Sequence, residues 1–225
     1  MTTRVEPGWA PRSESHGSSA KGPATLRRLD RWQAETARED LADLYVESSA
    51  TAPGREYRNR EDFLGRLADD VRRPGFVMVI AGRENLAGCA FGFPVGREGT
   101  WWHGFTGALP PGIEQLTVSG HLFAVSDILV HPLEQDLDLG HRLLTELLAD
   151  QDASLGVTKV DQADHAAGVA FKSWGWQEIG LVRAMPGTPA SFALTLPLGE
   201  RSPDMSSGLA HNVHTQRPEG SAEGM

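Results

Sequence analysis

Cysteine is nearly absent from this sequence, and so are the segments that direct a chain into or across a membrane. The single cysteine, Cys89, cannot form an internal disulfide, which fits a reducing cytoplasm. No stretch approaches the roughly 18 consecutive apolar residues of a membrane-spanning helix, and residues 1–24 lack the apolar segment of a secretory signal. These absences predict a cytoplasmic protein. Cys89 lies in the apolar run Ala87–Phe91, so we predict that it fills the core rather than acting as a nucleophile.

Positive charge is scarce as well. The chain has 21 Lys and Arg against 30 Asp and Glu, a formal net charge of −9, which disfavours nucleic acid or an anionic membrane as a partner. An acidic surface suits a cationic amine better. No G-x-G-x-x-G follows a predicted strand, which excludes a dinucleotide-binding oxidoreductase. His211 and His214 have a metal-like spacing, but two ligands in a polar tail do not complete a site, so we predict no metal.

Apolar residues are also few at both ends of the 225-residue chain. Residues 1–24 are rich in Ser, Gly, Pro and Ala, and residues 198–225 have almost no apolar side chain after Leu209. Such segments bury too little surface to offset chain entropy, so we expect two disordered tails. The core, residues 25–197, shows no internal repeat, and its length fits one domain of about 100–200 residues.

Within this core the hydrophobic period alternates between that of strands and that of helices. A capping box, Thr36 to Glu39, predicts the start of a helix that runs to about Ser49, and a second helix begins near Asn59 and ends before Pro74. The Trp-, Gly- and Pro-rich stretch 99–120 is interpreted as a long connection and a candidate substrate loop. The remaining predictions are strands at 25–32, 76–81, 86–93, 122–130, 156–160, 177–182 and 191–196, and helices at 140–152 and 165–174.

Two local motifs follow one another in the second half of the core. The first is Asp127–Pro132, followed by Gln135–Gly140 and a Leu-rich helix; the second is Asp164–Phe171, followed by Trp174-Gly175-Trp176. In this order they resemble the strand, V-x-P turn, phosphate loop and N-x-x-A…Y-x-x-x-G-F/W segment of the GNAT superfamily of acyl-CoA-dependent N-acyltransferases. The resemblance covers essentially the whole core. It implies an α/β GNAT fold with a central mixed, mostly antiparallel sheet and helices on both faces.

The resemblance also implies where acetyl-CoA binds as the acyl donor. The backbone of Ile128, Leu129 and Val130 pairs with the pantetheine amides and polarises the thioester carbonyl. The turn and the helix N-terminus that follow cradle the pyrophosphate through backbone N–H groups and the helix dipole. The residues implied for this cradle are Gln135, Asp136, Leu137, Asp138, Leu139, Gly140, His141 and Arg142.

Two positions depart from the family pattern. Asp138 replaces the first loop glycine and, with Glu134 and Asp136, places three carboxylates where an anion should bind, offset only by Arg142 and His141. Either Asp138 caps the helix itself and occupies the anion site, or the acids point to solvent and the backbone still binds phosphate. The second departure is Phe171, which takes the place of a tyrosine that protonates the leaving thiolate in many members. The resemblance implies that Phe171 contacts the acyl donor there.

Asp127 is the predicted catalytic residue, because several family members carry an acidic base near this position of the central strand. A partly buried aspartate can have its pKa raised enough to deprotonate an amine; the alternative is a structural hydrogen bond at the sheet edge. His103 and His121 are secondary candidates, and His131 is interpreted as structural. Of the adjacent Trp101 and Trp102, we expect at most one to line an acceptor pocket, since neighbours on an extended strand face opposite sides.

The function predicted from these residues is transfer of an acetyl group from acetyl-CoA to a primary amine, without a covalent enzyme intermediate. The acceptor amine belongs to a small molecule or a protein, and of the two we expect a small molecule; an antibiotic, a polyamine, an amino acid and a protein N-terminus all stay open. We expect no nucleic-acid or membrane partner, and we leave a homodimer open. The acidic loop and Phe171 favour a second hypothesis. In it, a degenerate GNAT domain has lost acyl-CoA turnover and serves as a ligand-binding or protein-interaction module.

Overall fold

A computed structural model describes residues 24–48, 56–82, 85–134, 137–184, 187 and 189–199. The two predicted tails lie almost wholly outside these residues, as do Gln135 and Asp136. The strands of the described part are β1 Thr25–Leu29, β2 Val77–Gly82, β3 Leu86–Pro94, β4 Leu122–Val130, β5 Leu155–Asp161, β6 Gln177–Val182 and β7 Ser191–Pro197. The helices are α1 Arg31–Thr36, α2 Arg38–Ser48, α3 Glu56–Val71, α4 Pro111–Ser119, α5 Leu137–Leu148 and α6 His165–Ser173, with 3₁₀ turns at Thr100–Trp102 and Pro132–Glu134.

Seven strands of the described chain form one sheet in the order β1-β2-β3-β4-β5-β7-β6. Only the central pair, β4 and β5, is parallel; the other five pairings are antiparallel. The parallel pair is joined by α5, as a crossover between parallel strands requires. The predicted mixed, mostly antiparallel sheet is confirmed.

The two central strands separate along their length and form a fork. β4 and β5 pair only from Leu122↔Leu155 to Val125↔Thr158. Beyond that point β4 continues to Val130 beside β3, and β5 continues to Asp161 beside β7. The Thr158 hydroxyl donates to the Val125 carbonyl at 3.0 Å and closes the base of the fork. The two facing edges above it have no strand partner in the described part of the chain.

Helices pack on both faces of the sheet, as predicted. The α5 face carries Leu143, Leu144 and Leu147 against Val79 and Phe123. The opposite side, called the α3 face, has two buried clusters. One joins α3 to β2 and β3 through Phe63, Leu67, Val71, Met78 and Phe91; the other packs Trp102 and Ile113 on Leu122, Ala124 and Val157.

Three local predictions were wrong. The first strand ends at Leu29 rather than Trp32, because Asp30 and Gln33 form a capping box that starts α1, and α2 follows at Arg38. The connection 99–120 contains α4, which begins with Pro111 in its first turn and ends at Gly120 in the left-handed region. Helix α5 spans Leu137–Leu148 instead of 140–152, so it begins three residues closer to the fork.

Candidate active site at the fork

A bulge in β4 presents Asp127 at the mouth of the fork. Phe91 of β3 lies opposite Asp127 while the next residue, Gly92, lies opposite Val125, so Ser126 is the extra residue. A bulge reverses the alternation locally, and here it places both Ser126 and Asp127 on the α3 face. The Asp127 side chain is 28% exposed, and its Oδ2 lies 3.9 Å from Nη2 of Arg66. The predicted base therefore lies beside the unpaired edge of β4.

Charged residues at the end of α3 face this bulge. Arg66 and Asp70 are four residues apart on one face of α3, and Arg73 follows in the turn after the helix ends at Val71. The Asp70 carboxylate accepts from the Ser126 hydroxyl and pairs with Arg73 Nε at 3.3 Å. The Arg66 guanidinium lies 5.4 Å from the ring centroid of Tyr45, a contact that restrains its position. Asp70 and Asp127 thus each have a cation close by.

This environment shifts the acidity of both carboxyl groups. Burial raises the pKa of Asp127 to about 6, with Arg66 opposing the rise and Asp70 adding to it. Burial also raises the pKa of Asp70, against the Ser126 hydrogen bond and Arg73. A carboxyl group with a pKa near 6 is mostly ionised at pH 7 and still accepts a proton more readily than an ordinary aspartate.

The residues after Asp127 form the open edge of β4. Ile128 and Val130 direct their side chains to the α5 face, and Leu129 is buried on the α3 face. Their side chains are thus occupied by packing, whereas no described strand pairs with the β5-facing edge of their backbone. Backbone groups that lack a strand partner are available to the amides of an extended ligand.

The implied pyrophosphate cradle is described from Leu137, where α5 begins. Asp138 is exposed in the first turn of this helix, so it is not the residue that precedes it, and the self-capping alternative is wrong in that form. Leu139 is buried among the α5-face residues. Gly140 is buried for a packing reason, because a Cβ there would meet Trp174 Cη2 at 3.1 Å.

The two basic side chains of the cradle have other contacts. Arg142 Nη2 donates to the Ala24 carbonyl at 2.9 Å, which draws its charge toward the β1 end of the sheet. His141 is exposed and stacks on Trp174, with ring centroids 5.7 Å apart. Their role in offsetting the loop acids stays a prediction.

Phe171 packs at the centre of an aromatic cluster on the α5 face. It is 7% exposed, and its ring meets Trp174 and Trp176 edge to face at 5.5 Å and 5.2 Å. The position implied for a proton donor is thus filled by a ring without a hydroxyl. Its predicted contact with the acyl donor stays a prediction.

The β5 arm of the fork carries a residue that sequence reasoning missed. Lys159 directly follows Thr158, the last residue of β5 that pairs with β4, and it points to the α3 face, where its neighbour on β7 is the buried Ala193. Its Nζ donates to the Trp101 carbonyl at 2.6 Å and lies 4.3 Å from the Trp101 ring centroid. Burial lowers the pKa of this ammonium. The signal in the sequence was a lysine inside an otherwise apolar strand.

The two adjacent tryptophans have separate environments. Trp102 is 8% exposed and donates from Nε1 to the Thr117 hydroxyl at 3.0 Å, within the core. Trp101 is half-buried and reaches the fork. The two residues lie in a 3₁₀ turn and not on a strand, so the alternation argument does not apply to them. That at most one of them lines an acceptor pocket stays a prediction.

The loop after this turn is fastened to β6. Gly104 has φ +81°, and its carbonyl accepts from the Arg183 N–H at 2.8 Å. A Cβ at Gly104 would collide with the Arg183 carbonyl oxygen, so glycine is required for this close approach. The anchored loop carries Trp101 across the α3 face to Lys159.

The other candidates have exposed, structural or core positions. His121 precedes β4 at the end opposite the fork, and His103 is an exposed loop residue. His131 Nε2 lies 3.2 Å from Glu47 Oε2, and its Nδ1 accepts from the Leu133 N–H, which fits the predicted structural role. Cys89 is fully buried, and burial raises the pKa of its thiol, so it serves as a core residue.

Two surface cavities lie outside the fork. One of about 590 Å³ lies between α2 and α3, and one of about 840 Å³ is lined by the second half of α5, Trp174 and residues near the start of β5. In the described residues no group of three or more His, Cys, Asp or Glu is arranged to hold a metal ion. No helix of that part of the chain has the length and apolar character to cross a membrane.

Comparisons with known proteins identify the fold. No protein-family model matches the sequence, and no curated protein is significantly similar to it. Solved structures do match: an aminoglycoside 6′-acetyltransferase type Ii has a TM-score of 0.55 at 14% identity, covering 79% of this chain and 99% of the other. The ribosomal-protein-S18-alanine N-acetyltransferase of Escherichia coli gives 0.51 at 15% identity, covering 79% and 97%.

The PaiA N-acetyltransferase of Thermoplasma acidophilum, solved in complex with coenzyme A, gives a TM-score of 0.52 at 12% identity, covering 77% of this chain and 98% of the other. At these identities the likeness concerns the arrangement of the backbone. It agrees with the fork, the single parallel pair and the helices on both faces. This chain has the GNAT fold.

Proposed function

We propose that the protein is an N-acetyltransferase that moves an acetyl group from acetyl-CoA to a primary amine, with Asp127 as general base. The observation that carries the proposal is the position of Asp127. Its carboxylate lies beside the open edge of β4, at the fork, with a pKa of about 6. A primary amine has a pKa near 10.4 in water, so a base must remove a proton before the nitrogen attacks.

The reaction needs no covalent enzyme intermediate. The amine nitrogen forms a bond to the thioester carbonyl carbon, its proton passes to the Asp127 carboxylate, and the carbon–sulfur bond breaks. The thiolate leaves without a tyrosine, because Phe171 has no proton to give. That loss is tolerable, since a thiol with a pKa of about 8.5 is a fair leaving group.

Acetyl-CoA as the donor is supported by the open strand edge and by the fold. The backbone of Ile128–Val130 would hold the pantetheine amides, since it lacks a strand partner on the fork side. The start of α5 would hold the pyrophosphate. A protein of the same fold, the PaiA acetyltransferase, was solved with coenzyme A.

Two observations favour the second candidate, a GNAT domain that binds a ligand or protein without acyl transfer. Asp138 is exposed in the first turn of α5, where it opposes an anion, and Arg142 donates to Ala24. A like charge at about 4 Å opposes binding by about 1 kcal/mol in water. The catalytic proposal therefore requires that backbone N–H groups bind phosphate despite this charge.

Calorimetry with acetyl-CoA and with desulfo-CoA separates the two candidates before any acceptor is known. Saturable binding of both, followed by CoA release when primary amines are added, supports the enzyme. Absence of binding at millimolar concentrations of either compound would establish the binding-module alternative. Binding without CoA release from any amine in a broad panel would contradict the proposed transfer.

A further inference from the structure

The α3 face of the fork contains one cation that has no acid beside it. Arg66 is close to Asp127, and Arg73 is paired with Asp70. Lys159 differs, because within the described chain its Nζ meets only the carbonyl and the ring of Trp101. An ammonium has three N–H donors, and the carbonyl takes one of them. Two donors of a half-buried cation are left for an acceptor that the described residues do not supply.

Trp101 adds a second unpaired donor to the same contact. Its indole Nε1 is buried and has no hydrogen-bond acceptor in the described residues. Its position is fixed from two sides, by the Lys159 contact and by an edge contact with Phe93 at 6.1 Å. A buried donor without a partner is unfavourable, and the indole N–H of Trp101 is a signal that reports changes around the adjacent Lys159 ammonium.

Lys159 and Asp127 flank the opening of the fork from its two arms. Both point to the α3 face. Lys159 directly follows Thr158, the last paired residue of β5, and Asp127 follows the last paired residue of β4, Val125, after the bulge residue Ser126. Paired strands in a sheet lie about 4.8 Å apart. The distance between β4 and β5 increases from that value beyond Val125 and Thr158. Contacts extend from each arm over the α3 face. Asp127 on β4 lies beside Arg66. Lys159 on β5 contacts Trp101, which meets Phe93, and Arg73 lies over the Phe93 ring.

We propose that Lys159, held by Trp101, binds a carboxylate of the acceptor, so that the acceptor is a small amino acid whose amine lies at Asp127. In a small amino acid, the amine nitrogen and the carboxylate carbon are two or three bonds apart. This short separation suits binding of the amine at Asp127 and of the carboxylate at Lys159, which lie on adjacent strands. A polyamine would place a second cation against Lys159. A protein N-terminus lacks a carboxylate next to its amine. The proposal rests on the proposed function for its reaction, but carboxylate binding can be measured without turnover.

The binding test uses the full chain labelled with ¹⁵N, with and without coenzyme A. The Trp101 indole N–H signal is assigned by its loss in Trp101→Phe. The probes are the common amino acids, each paired with its own α-carboxamide, which keeps the size and removes the carboxylate. We expect at least one amino acid to shift the Trp101 signal saturably, its amide to leave it unchanged, and Lys159→Met to abolish the shift.

A matched control is Lys172→Met. Lys172 also lies over an aromatic ring, that of Phe192 at 5.6 Å, but it is exposed and pairs with Glu178 at 3.3 Å. The shift should persist in this variant. The proposal is overturned if no amino acid shifts the signal, if acid and amide act alike, or if the shift survives in Lys159→Met.

Enzyme kinetics with the same amino acids and carboxamides give a second test. A purely structural role of Lys159 would not change KM for the amino acid alone. Lys159→Met should raise KM for the amino acid about ten- to a hundredfold, as expected for loss of a hydrogen bond to a charged group, while KM for acetyl-CoA stays unchanged. Lys159→Arg should restore part of the loss, because the charge returns. Equal losses on acid and amide would overturn carboxylate recognition.

The two proposals fail in different ways. A Trp101 shift with no CoA release from any amine would contradict acetyl transfer and leave the carboxylate site standing. Efficient acetylation of amines without carboxylates, with no amino acid preferred, would support the enzyme and contradict the role of Lys159.

Discussion

The two faces of the central sheet use the same strands for different purposes. On the α5 face, β4 contributes Phe123 and Val125 to an apolar cluster that includes Phe171 and Trp176. On the α3 face, the same strand presents Ser126 and Asp127 to the charged side chains of α3. Two cation–anion pairs on the α5 face, Arg28 with Glu146 and Lys172 with Glu178, lie at its β1 and β6 edges rather than at the fork.

The difference between the two faces depends on one residue, Ser126, the extra residue of the β4 bulge. Strict alternation from Val125 would direct Asp127 to the same side as Val125, into the apolar cluster. The extra residue Ser126 turns Asp127 to the opposite face, where Arg66 is close. An aspartate among the α5-face side chains would have no cation and would be far less favourable. The bulge therefore creates the candidate site.

Loss of the carboxylate should produce the largest effect on the charged face. We expect Asp127→Asn to lower turnover by about 10²–10⁴-fold, the usual contribution of a general base. Binding of acetyl-CoA should change little, because a base acts in the transition state. The rate of the parent should rise with pH through about 6, as Asp127 ionises, and this limb should vanish in the variant.

The measurement is CoA release from pH 5 to 9 with one amine acceptor. The deficit should shrink at high pH, where free amine becomes abundant. Asp43→Asn is a matched control, because Asp43 is exposed and pairs with Arg60 at 3.0 Å, outside the fork. Equal rates for Asp127→Asn and the parent at neutral pH would remove Asp127 from the mechanism.

On the other face of the sheet, the negative charge of Asp138 at the start of α5 opposes binding of the CoA pyrophosphate. Asp138→Gly removes the exposed carboxylate of the first turn. We expect CoA affinity to rise about tenfold, since one decade is 1.4 kcal/mol and the repulsion amounts to about 1–4 kcal/mol. Calorimetry in low and high salt measures it, and the gain should diminish with salt if repulsion is the cause. Weaker binding by the variant would assign Asp138 an active role.

A smaller effect should come from Arg66, which lowers the pKa of Asp127. Arg66→Met keeps an apolar side chain near Tyr45 but removes the charge. The Arg66 side chain is 51% exposed, so screening limits the shift to about half a pKa unit to one unit. The rate at pH 6 should fall about two- to fivefold as a result, with no change above pH 8.

The pH–rate profile checks this expectation, with Arg66→Lys as the variant that keeps the charge. Arg60→Met is the matched control, because Arg60 pairs with Glu39 and Asp43 on the same face but not with Asp127. An unshifted profile in Arg66→Met would show that Arg66 does not set the acidity of Asp127.

The sequence allowed the fold and the position of Asp127 to be predicted, because both depend on local pattern. The segment 122–130 is a short, mostly apolar run, the helix with Leu143, Leu144 and Leu147 has a clear period of 3.6, and the two motifs fix their order. The bulge at Ser126 could not be predicted, since its cause is the pairing with Phe91 and Gly92 of β3. Pairing register is a tertiary property that one strand's sequence does not contain.

The charged partners were missed for a related reason. Arg66 and Asp70 have an ordinary helical spacing, which a sequence assigns to a solvated face as readily as to a site. Lys159 was passed over because its strand is short and its neighbours are apolar. Trp101 reaches it only through the turn at Thr100–Trp102 and the anchor of Gly104 on Arg183. These contacts join residues more than 50 positions apart, beyond any local pattern.

The last expected effect concerns stability rather than rate, and it tests whether burial of the Asp127 carboxylate destabilises the charged face. The pKa of Asp127 rises from 3.8 to about 6 on folding, so the folded state binds the proton more tightly than the unfolded chain. The contribution of this group to stability is therefore greatest below pH 4, falls as pH rises from about 4 to 6, and stays low above that. Asparagine mimics the protonated form throughout. At 1.36 kcal/mol per unit, and allowing for partial exposure and the lost Arg66 pair, Asp127→Asn should be about 1–2 kcal/mol more stable than the parent at pH 7.5. The two proteins should be equally stable at pH 4. Urea unfolding at both pH values measures the difference, and the melting temperature at pH 7.5 should rise by about 2–8 °C. A variant less stable than the parent at pH 7.5 would mean that the ion pair with Arg66 outweighs the cost of burying the carboxylate.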